Sequence, residues 1–150
     1  MIKLIVVLAV FVSLSIAAPD RQKVESLVQT FFDANNDNDC ERLVSIFENQ
    51  IWVEDPKGAD VVRTKTELFN LCKQGRPFVA NKLSPQMSRL HISHDGAAIP
   101  WTFFGAFDNG CVVEFDGIDV FEISVNYKVL KMIGYFDSQD VANQVARCLE

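Results

Sequence analysis

The sequence predicts one α+β domain, in which helices pack on one face of a curved antiparallel sheet. In the first half of the chain, apolar residues recur every three or four positions, a spacing typical of amphipathic helices. From about residue 88 onward they recur at every second position, as in strands. Because the helices come first and the strands follow as a run, we expect a layered α+β architecture.

The N-terminal residues 1–18 are predicted to be a secretory signal peptide, separate from a domain that spans residues 19–150. Lys3 precedes an apolar run at residues 4–12, and small residues lead up to Pro19. The apolar run is shorter than the roughly 20 residues that a membrane span needs. We therefore expect cleavage near residue 18 and a secreted, extracellular domain that does not stay in the membrane.

The charge and composition narrow the range of partners. Asp and Glu outnumber Lys and Arg by 20 to 14, and the sequence has no Lys/Arg cluster that could bind along a phosphate backbone. We therefore expect neither nucleic acid nor an anionic membrane as a partner. Twelve phenylalanines could line a large apolar cavity, or they could be plain core. We expect a small hydrophobic ligand or substrate, and the sequence leaves open whether the chain forms a homodimer.

Four cysteines predict disulfides and not a metal site. The cysteines are Cys40, Cys72, Cys111 and Cys148. An even number of cysteines in a secreted chain fits two disulfides, in any of three connectivities. The alternative is that some of them are free buried thiols. None has metal-ligand spacing. The acidic stretch at residues 33–39 lacks the glycine and the glutamate of an EF-hand loop. We therefore expect neither a metal ion nor a cofactor.

Three helices are predicted in the first half of the chain. The first is capped by Asp20, runs to about residue 34 and buries an apolar stripe that includes Phe31. A short second helix, residues 41–48, follows Asp39. The third, at about residues 65–74, begins with a capping-box pattern and ends at a glycine.

Four strands and a terminal helix are predicted in the second half. The strands are assigned to residues 88–93, 97–107, 111–123 and 127–136, and the helix to residues 138–149. Alternation places Trp101 and Phe103 on one face of the second of these strands, as a pocket wall or as ordinary aromatic core. His91 and His94 are expected at the surface or in a turn.

A further short strand, residues 51–55, carries the main candidate for chemistry. It ends in Glu54 and Asp55, and Pro56 then stops the strand pairing and favours an extended conformation for Asp55. This arrangement can hold the Asp55 carboxylate at the mouth of a pocket. The alternative is that both acids are ordinary solvated turn residues.

Several segments together resemble the ketosteroid isomerase and SnoaL-like polyketide cyclase branch of the nuclear-transport-factor-2-like superfamily. The resemblance extends over about residues 22 to 137, and its segments are residues 27–35, 43–47, 53–56, 117–121 and 128–132. It implies a cone-shaped curved antiparallel sheet packed against three N-terminal helices, with an apolar pocket at one end.

The resemblance also implies roles for single residues. Asp55 matches the family's general base, and Asp119 matches the aspartate that stays protonated and donates a hydrogen bond, as in ketosteroid isomerase. The oxyanion-hole tyrosine falls on Phe31, which has no hydroxyl. The loss of one such donor costs roughly 3 to 4 kcal/mol, a factor of about a hundred to a thousand in rate. The Trp101 indole or the Tyr135 hydroxyl could replace it.

We therefore expect cofactor-independent acid–base catalysis, of isomerase or cyclase type, on a small hydrophobic carbonyl compound. Asp55 would be the base and Asp119 the protonated donor. The expected ligand-binding residues are Phe31, Trp101, Phe103, Phe115 and Tyr135. The alternative function is a non-catalytic, secreted carrier of small apolar ligands, because a carrier needs the pocket but not the missing donor.

Overall fold

The structure is a computed structural model that describes residues 19–150. The predicted signal peptide, residues 1–18, lies outside the described residues. None of the helices described is both long and apolar enough to cross a membrane.

Residues 19–150 contain four helices, and each begins at a side chain that accepts a hydrogen bond from a backbone N–H of its first turn. They are α1 (Arg21–Asn36), α2 (Cys40–Ser45), α3 (Lys65–Gln74) and α4 (Ser138–Leu149). The predictions for α1, α3 and α4 are confirmed. The second helix is shorter than predicted, because the chain has already entered the first strand at Phe47.

In the part of the chain that the structure describes, seven strands form one sheet. They are β1 (Phe47–Glu54), β2 (Val62–Thr64), β3 (Ala80–Pro85), β4 (His91–Ile92), β5 (Gly96–Ala106), β6 (Val112–Ile123) and β7 (Val129–Tyr135). The order across the sheet is β2-β1-β7-β6-β5-β3, and β4 pairs with β5. Neighbours are antiparallel except for β1 and β7, which run parallel, an exception to the antiparallel sheet that was predicted.

The edges of the sheet differ most from the prediction. Strands β2 and β3 were not predicted, and the strand expected at residues 88–93 is a 3-10 turn, Met87–Arg89, followed by the two-residue β4. The edge strand β3 buries only Leu83, so it has no alternating apolar pattern. Asn36 instead fixes this strand to α1, because its side chain exchanges two hydrogen bonds with the Leu83 backbone, at 2.7 and 2.9 Å.

The hydrophobic core lies between the helices and the inner face of the sheet. Its fully buried side chains come from α1, β1, β5, β6 and β7, and the largest are Phe32, Phe47, Ile99, Phe121 and Met132. The predicted alternation in β5 is confirmed. Its odd-numbered side chains are buried from Ala97 through Phe103, whereas Phe104 is 40% exposed on the other face.

The cysteines form two disulfides, Cys40–Cys72 and Cys111–Cys148. The first joins the start of α2 to α3, and the second joins the residue before β6 to the end of α4. This pairing is one of the three connectivities that the sequence allowed. Two disulfides are consistent with an extracellular protein.

Candidate active site

Asp55 directly follows β1 and lies on the inner side of the sheet. Along β1, Ile51 and Val53 point toward the core, so the two-residue period of the strand directs Asp55 the same way. The backbone N–H of Lys57 donates to the carbonyl of Gly134 at 2.7 Å and thereby fixes the segment after Asp55 to β7. The Asp55 side chain lines the cavity beneath the helices.

Asp119 lies in the middle of β6 and is buried, with only 2% of its surface exposed. It pairs with Ile99 of β5 on one side and with Gly134 of β7 on the other. Asp119 therefore enters the same cavity from the floor of the sheet.

Gly134 is the point where the two acids meet. A Cβ added to Gly134 would overlap Asp55 Oδ1, would lie 3.0 Å from Asp55 Cγ and would lie 3.3 Å from Asp119 Oδ1. Any larger residue would occupy the space that the two carboxyl groups use. The absence of a side chain at Gly134 thus lets both acids approach one stretch of backbone.

The two acids have different proton affinities. Burial raises the pKa of Asp119 well above its ordinary value of 3.8, and the nearby Asp55 carboxylate raises it further. Burial also raises the pKa of Asp55, but the positive charge of Arg76 opposes that change. The Asp55 side chain is exposed to solvent at the pocket mouth, so its pKa is raised less than that of the buried Asp119. The pair is therefore suited to titrate in two steps, with Asp55 ionising first.

The cavity has two lobes that share Phe31, Asn35, Asp55 and Arg76. The first, here called the helical lobe, has a volume of about 250 Å³ and is walled mainly by the helices and β1. The second, the aromatic lobe, has a volume of about 180 Å³ and contains Asp119. Asp55 and Arg76 thus lie at the junction of the lobes.

Aromatic rings form most of the wall of the aromatic lobe. The Trp101 ring packs edge-on against Phe115 and Phe136, with ring centroids 5.8 and 5.9 Å apart. Gly117 leaves room for the indole, because a Cβ at that position would overlap the Trp101 ring. Of the predicted ligand-binding residues, Phe31, Trp101, Phe103 and Phe115 line this lobe.

Tyr135, the fifth predicted ligand-binding residue, lines neither lobe. It follows Gly134 on β7, and the alternation of the strand therefore turns its side chain to the opposite face of the sheet. There it is 45% exposed. His91 and His94 are also exposed and lie outside both lobes, as predicted.

Sequence reasoning missed Arg76 and Asn35. Arg76 follows the glycine that ends α3, and its guanidinium donates to Asn35 Oδ1 at 3.2 Å. The same guanidinium lies 5.6 Å from the centre of the Phe103 ring. No carboxylate of residues 19–150 comes within 4.0 Å of it, so Arg76 acts on Asp55 through space. Only tertiary contacts reveal this role.

The Glu54 carboxylate is held in place by hydrogen bonds from neighbouring residues of the chain. Its carboxylate accepts hydrogen bonds from the Lys57 ammonium at 2.8 Å, from the Gly58 N–H at 2.7 Å and from the Trp52 indole at 3.3 Å. These bonds, chiefly the one from Lys57, lower the pKa of Glu54 to about 2. Glu54 therefore stays ionised and fixes the loop that follows Asp55.

These features define an α+β cone with two acids in an apolar pocket. No protein-family model matches the chain, and no curated protein sequence matches it. Solved structures do match. One is SalBIII, an epoxide hydrolase/cyclase-like enzyme that has a role in pyran ring formation in the polyether salinomycin. It is 21% identical to this chain, and the two structures match with a TM-score of 0.70 over 81% of this chain and 95% of SalBIII.

A second match is an LEH-like epoxide hydrolase from M. tuberculosis. It is 18% identical, with a TM-score of 0.72, over 87% of this chain and 95% of that one. Both proteins have the SnoaL-like, nuclear-transport-factor-2-like fold. The chain therefore has the fold that its sequence resemblance implied.

Proposed function

We propose that the protein is a cofactor-independent acid–base enzyme that acts on a small hydrophobic compound. The observation that carries this proposal is the meeting of Asp55 and Asp119 over Gly134, in surroundings that raise their pKa values to different extents. Two carboxyl groups whose pKa values are pushed apart can act as base and acid at one pH. Asp55 is the base, and Asp119 is the acid that stays protonated until the substrate reacts.

The pocket walls indicate the kind of substrate. Aromatic and aliphatic side chains favour an apolar body, and the two lobes together match the lower part of the roughly 300 to 1,000 Å³ range of small-molecule sites. Polar groups from Asp55, Arg76 and Asn35 gather at the junction, and Asp119 lies beside them in the aromatic lobe. The reacting oxygen of the substrate would lie there, with its apolar body in a lobe.

Among oxygen-bearing substrates, we favour a strained cyclic ether such as an epoxide. An enolate keeps its negative charge until it is reprotonated, so it depends on several hydrogen-bond donors, and Phe31 provides none. An epoxide oxygen can instead take a whole proton from one acid while its ring opens. The activities named for the two similar structures support this choice.

The proposed reaction moves two protons, one from the nucleophile to Asp55 and one from Asp119 to the epoxide oxygen. The Asp55 carboxylate takes a proton from the nucleophile, whose oxygen then bonds to a ring carbon. The carbon–oxygen bond of the epoxide breaks, and its oxygen takes the proton of Asp119. Water as nucleophile gives a diol, and a hydroxyl of the same substrate gives a new ring. Asp55 then returns its proton to Asp119, a transfer that their shared position over Gly134 favours.

Isomerisation of an unsaturated ketone is the second candidate. It uses the same base to carry a proton between two carbons, and the match of Asp55 and Asp119 to ketosteroid isomerase favours it. The carrier alternative needs only the lobes. The three functions differ in what they do to a bound compound.

The test is to incubate the secreted protein with styrene oxide and, separately, with 3-cyclohexenone. We expect diol formation from styrene oxide that falls at least about a hundredfold in Asp55→Asn and in Asp119→Asn, since each variant removes one proton-transfer group. Turnover that persists in both variants would contradict the proposal. Binding of both compounds without any turnover would favour the carrier.

A further inference from the structure

Arg76 is a cation without a carboxylate partner at the junction of the two lobes. A guanidinium has several N–H donors and no acceptor. Within residues 19–150, the hydrogen bond that Arg76 makes is the one to Asn35 Oδ1, at 3.2 Å. In the same part of the chain, no carboxylate oxygen lies within 4.0 Å of the guanidinium. Most of its donors are therefore free for a group that enters the cavity.

The backbone on both sides of Arg76 fixes where its side chain begins. Gly75 ends α3 with a φ of 71°, a conformation that residues with a side chain rarely adopt. Pro77 follows Arg76, and a residue before proline is restricted to an extended backbone. Arg76 therefore leaves the helix in a defined direction, toward the junction that it lines.

Two neighbours hold the guanidinium itself. The Asn35 amide is oriented by α1, because its Nδ2 donates to the carbonyl of Phe31 at 2.9 Å and its Oδ1 then faces Arg76. The guanidinium carbon lies 5.6 Å from the centre of the Phe103 ring, within the range of a cation–π contact. A cation that is already held in place loses little freedom when a ligand binds to it.

The charge of Arg76 contrasts with the rest of the protein. The chain has a formal net charge of −6, so its overall field repels anions. Among residues 19–150, Arg76 is the one basic side chain that lines either lobe, and most of the other lining residues are apolar. The cavity thus combines an apolar interior with a single local cation.

We infer that Arg76 binds a carboxylate of the substrate, so that the substrate is an apolar carboxylic acid. A guanidinium pairs with a carboxylate through parallel N–H···O bonds, which are shorter and stronger than bonds between neutral groups. A phosphate group carries more than one negative charge at neutral pH, and a single cation in an apolar cavity compensates it poorly. The inference rests on the proposed function and deepens it, because it names the class of the substrate.

The acids define where the rest of the substrate lies. Asp119 is in the aromatic lobe, and Asp55 lines both lobes beside Arg76. A short spacer between carboxylate and epoxide therefore brings the epoxide to both acids. Because attraction and repulsion both fall with distance, a carboxylate that contacts Arg76 on the side away from Asp55 gains more from the guanidinium than it loses to Asp55. The substrate is then anchored at one end, which positions its reacting oxygen.

The test compares two ligands that have the same shape but differ in charge. They are 3-cyclohexylpropanoate and 3-cyclohexylpropanamide, and calorimetric titration at neutral pH measures the Kd of each. We expect the wild type to bind the carboxylate at least about tenfold more tightly than the amide. Arg76→Gln should abolish this preference. Arg76→Lys should retain part of it, because an ammonium keeps the charge but not the parallel donors.

Arg147→Gln is the matched control. It removes the same charge from an exposed position outside both lobes, so it should keep the preference. A second measurement uses protein with ¹⁵N-labelled arginine, in which Arg76→Lys assigns the Nε–H signal of Arg76. The carboxylate should move this signal downfield and leave the signal of Arg147 in place, whereas the amide should move neither.

Equal binding of the two ligands by the wild type, a preference that survives in Arg76→Gln, or no binding of either ligand up to its solubility would overturn the inference. If Arg76→Gln does not fold, the wild-type preference and the Arg76 signal decide the question. None of these results affects the turnover of styrene oxide, which has no carboxylate. A carboxylate preference in a protein that converts neither styrene oxide nor the epoxy acid 3-phenylglycidate would support the inference and contradict the proposed function. The two failures are thus distinguishable.

Discussion

Glu54 and Asp55 are consecutive in the chain, yet their carboxyl groups face opposite sides of the sheet. Glu54 accepts hydrogen bonds from the loop that follows it, and its pKa is lowered to about 2. Asp55 enters the pocket, where burial raises its pKa. Because side chains alternate between the faces of a strand, Glu54 holds the loop in place, whereas Asp55, one residue later, is the proposed base.

Glu54→Gln should destabilise the protein in a pH-dependent way. Because the folded pKa of Glu54 lies below its ordinary value of 4.5, its ionisation stabilises the fold above pH 4.5, and this stabilisation is lost as the pH falls through about 2. We expect the variant to melt below the wild type at neutral pH, with a difference that shrinks in acid. Circular dichroism melts measure this, and an equal difference at all pH values would contradict it. Glu114→Gln, at an exposed position, is the control.

Asp119→Asn should have the opposite pH dependence. The folded pKa of Asp119 is raised, so its contribution to stability is complete below pH 3.8 and is lost as the pH rises through the folded pKa. Each unit of elevation destabilises the ionised wild type by about 1.4 kcal/mol. The variant should therefore gain in melting temperature relative to wild type as the pH rises. Asp116→Asn, at an exposed position, should show no such trend.

The proposed activity should have a bell-shaped pH profile. It rises as Asp55 ionises and falls when Asp119 loses its proton, and both pKa values lie above 3.8. The measurement is kcat/KM for styrene oxide between about pH 4 and about pH 9. A profile that stays flat through this range would show that these two acids do not carry the reaction.

Gly134→Ala should impair catalysis without unfolding the protein. The new methyl group would displace the Asp55 carboxylate, which is the mobile end of a side chain, so the backbone can remain in place. A displacement of about 1 Å costs on the order of a hundredfold in rate. Ile133→Ala, the preceding residue on the other face, is the control and should keep its activity. Equal turnover by wild type and Gly134→Ala would contradict the proposed site.

Phe31→Tyr should add an activity. Phe31 lines both lobes, so a hydroxyl there reaches the junction where the ketone oxygen would lie. We expect isomerisation of 3-cyclohexenone to rise at least about tenfold, and Asp55→Asn should abolish the gain. An unpaired hydroxyl would instead destabilise the protein by roughly 1 to 3 kcal/mol, which a thermal melt detects. A stable variant with no gain would argue against enone isomerisation in this pocket.

Local signals explain which parts of the fold could be predicted. The helix starts at Asp20, Asp39 and Thr64 follow from capping within one turn, and β5 and β6 follow from their long alternation. The short edge strands β2 and β3 have no such pattern, because their neighbours and not their side chains determine their pairing.

The site was only partly predictable for a related reason. The resemblance identified Asp55 and Asp119, but Arg76 joins them only because the end of α3 meets the last turn of α1 at Asn35. Tyr135 was predicted to bind the ligand, but β7 presents its neighbour Gly134 to the pocket. Which face a strand residue occupies depends on its register with neighbouring strands.

The two disulfides hold parts of the pocket wall in place, whereas the sheet positions the two acids. Cys72 lines the helical lobe, and Cys148 anchors α4, whose Val141 reaches the aromatic lobe. Neither disulfide joins two strands to each other, whereas Asp55 and Asp119 are positioned by β1, β6 and β7. A reducing environment would therefore change which molecules the pocket admits before it changes the proton transfers inside.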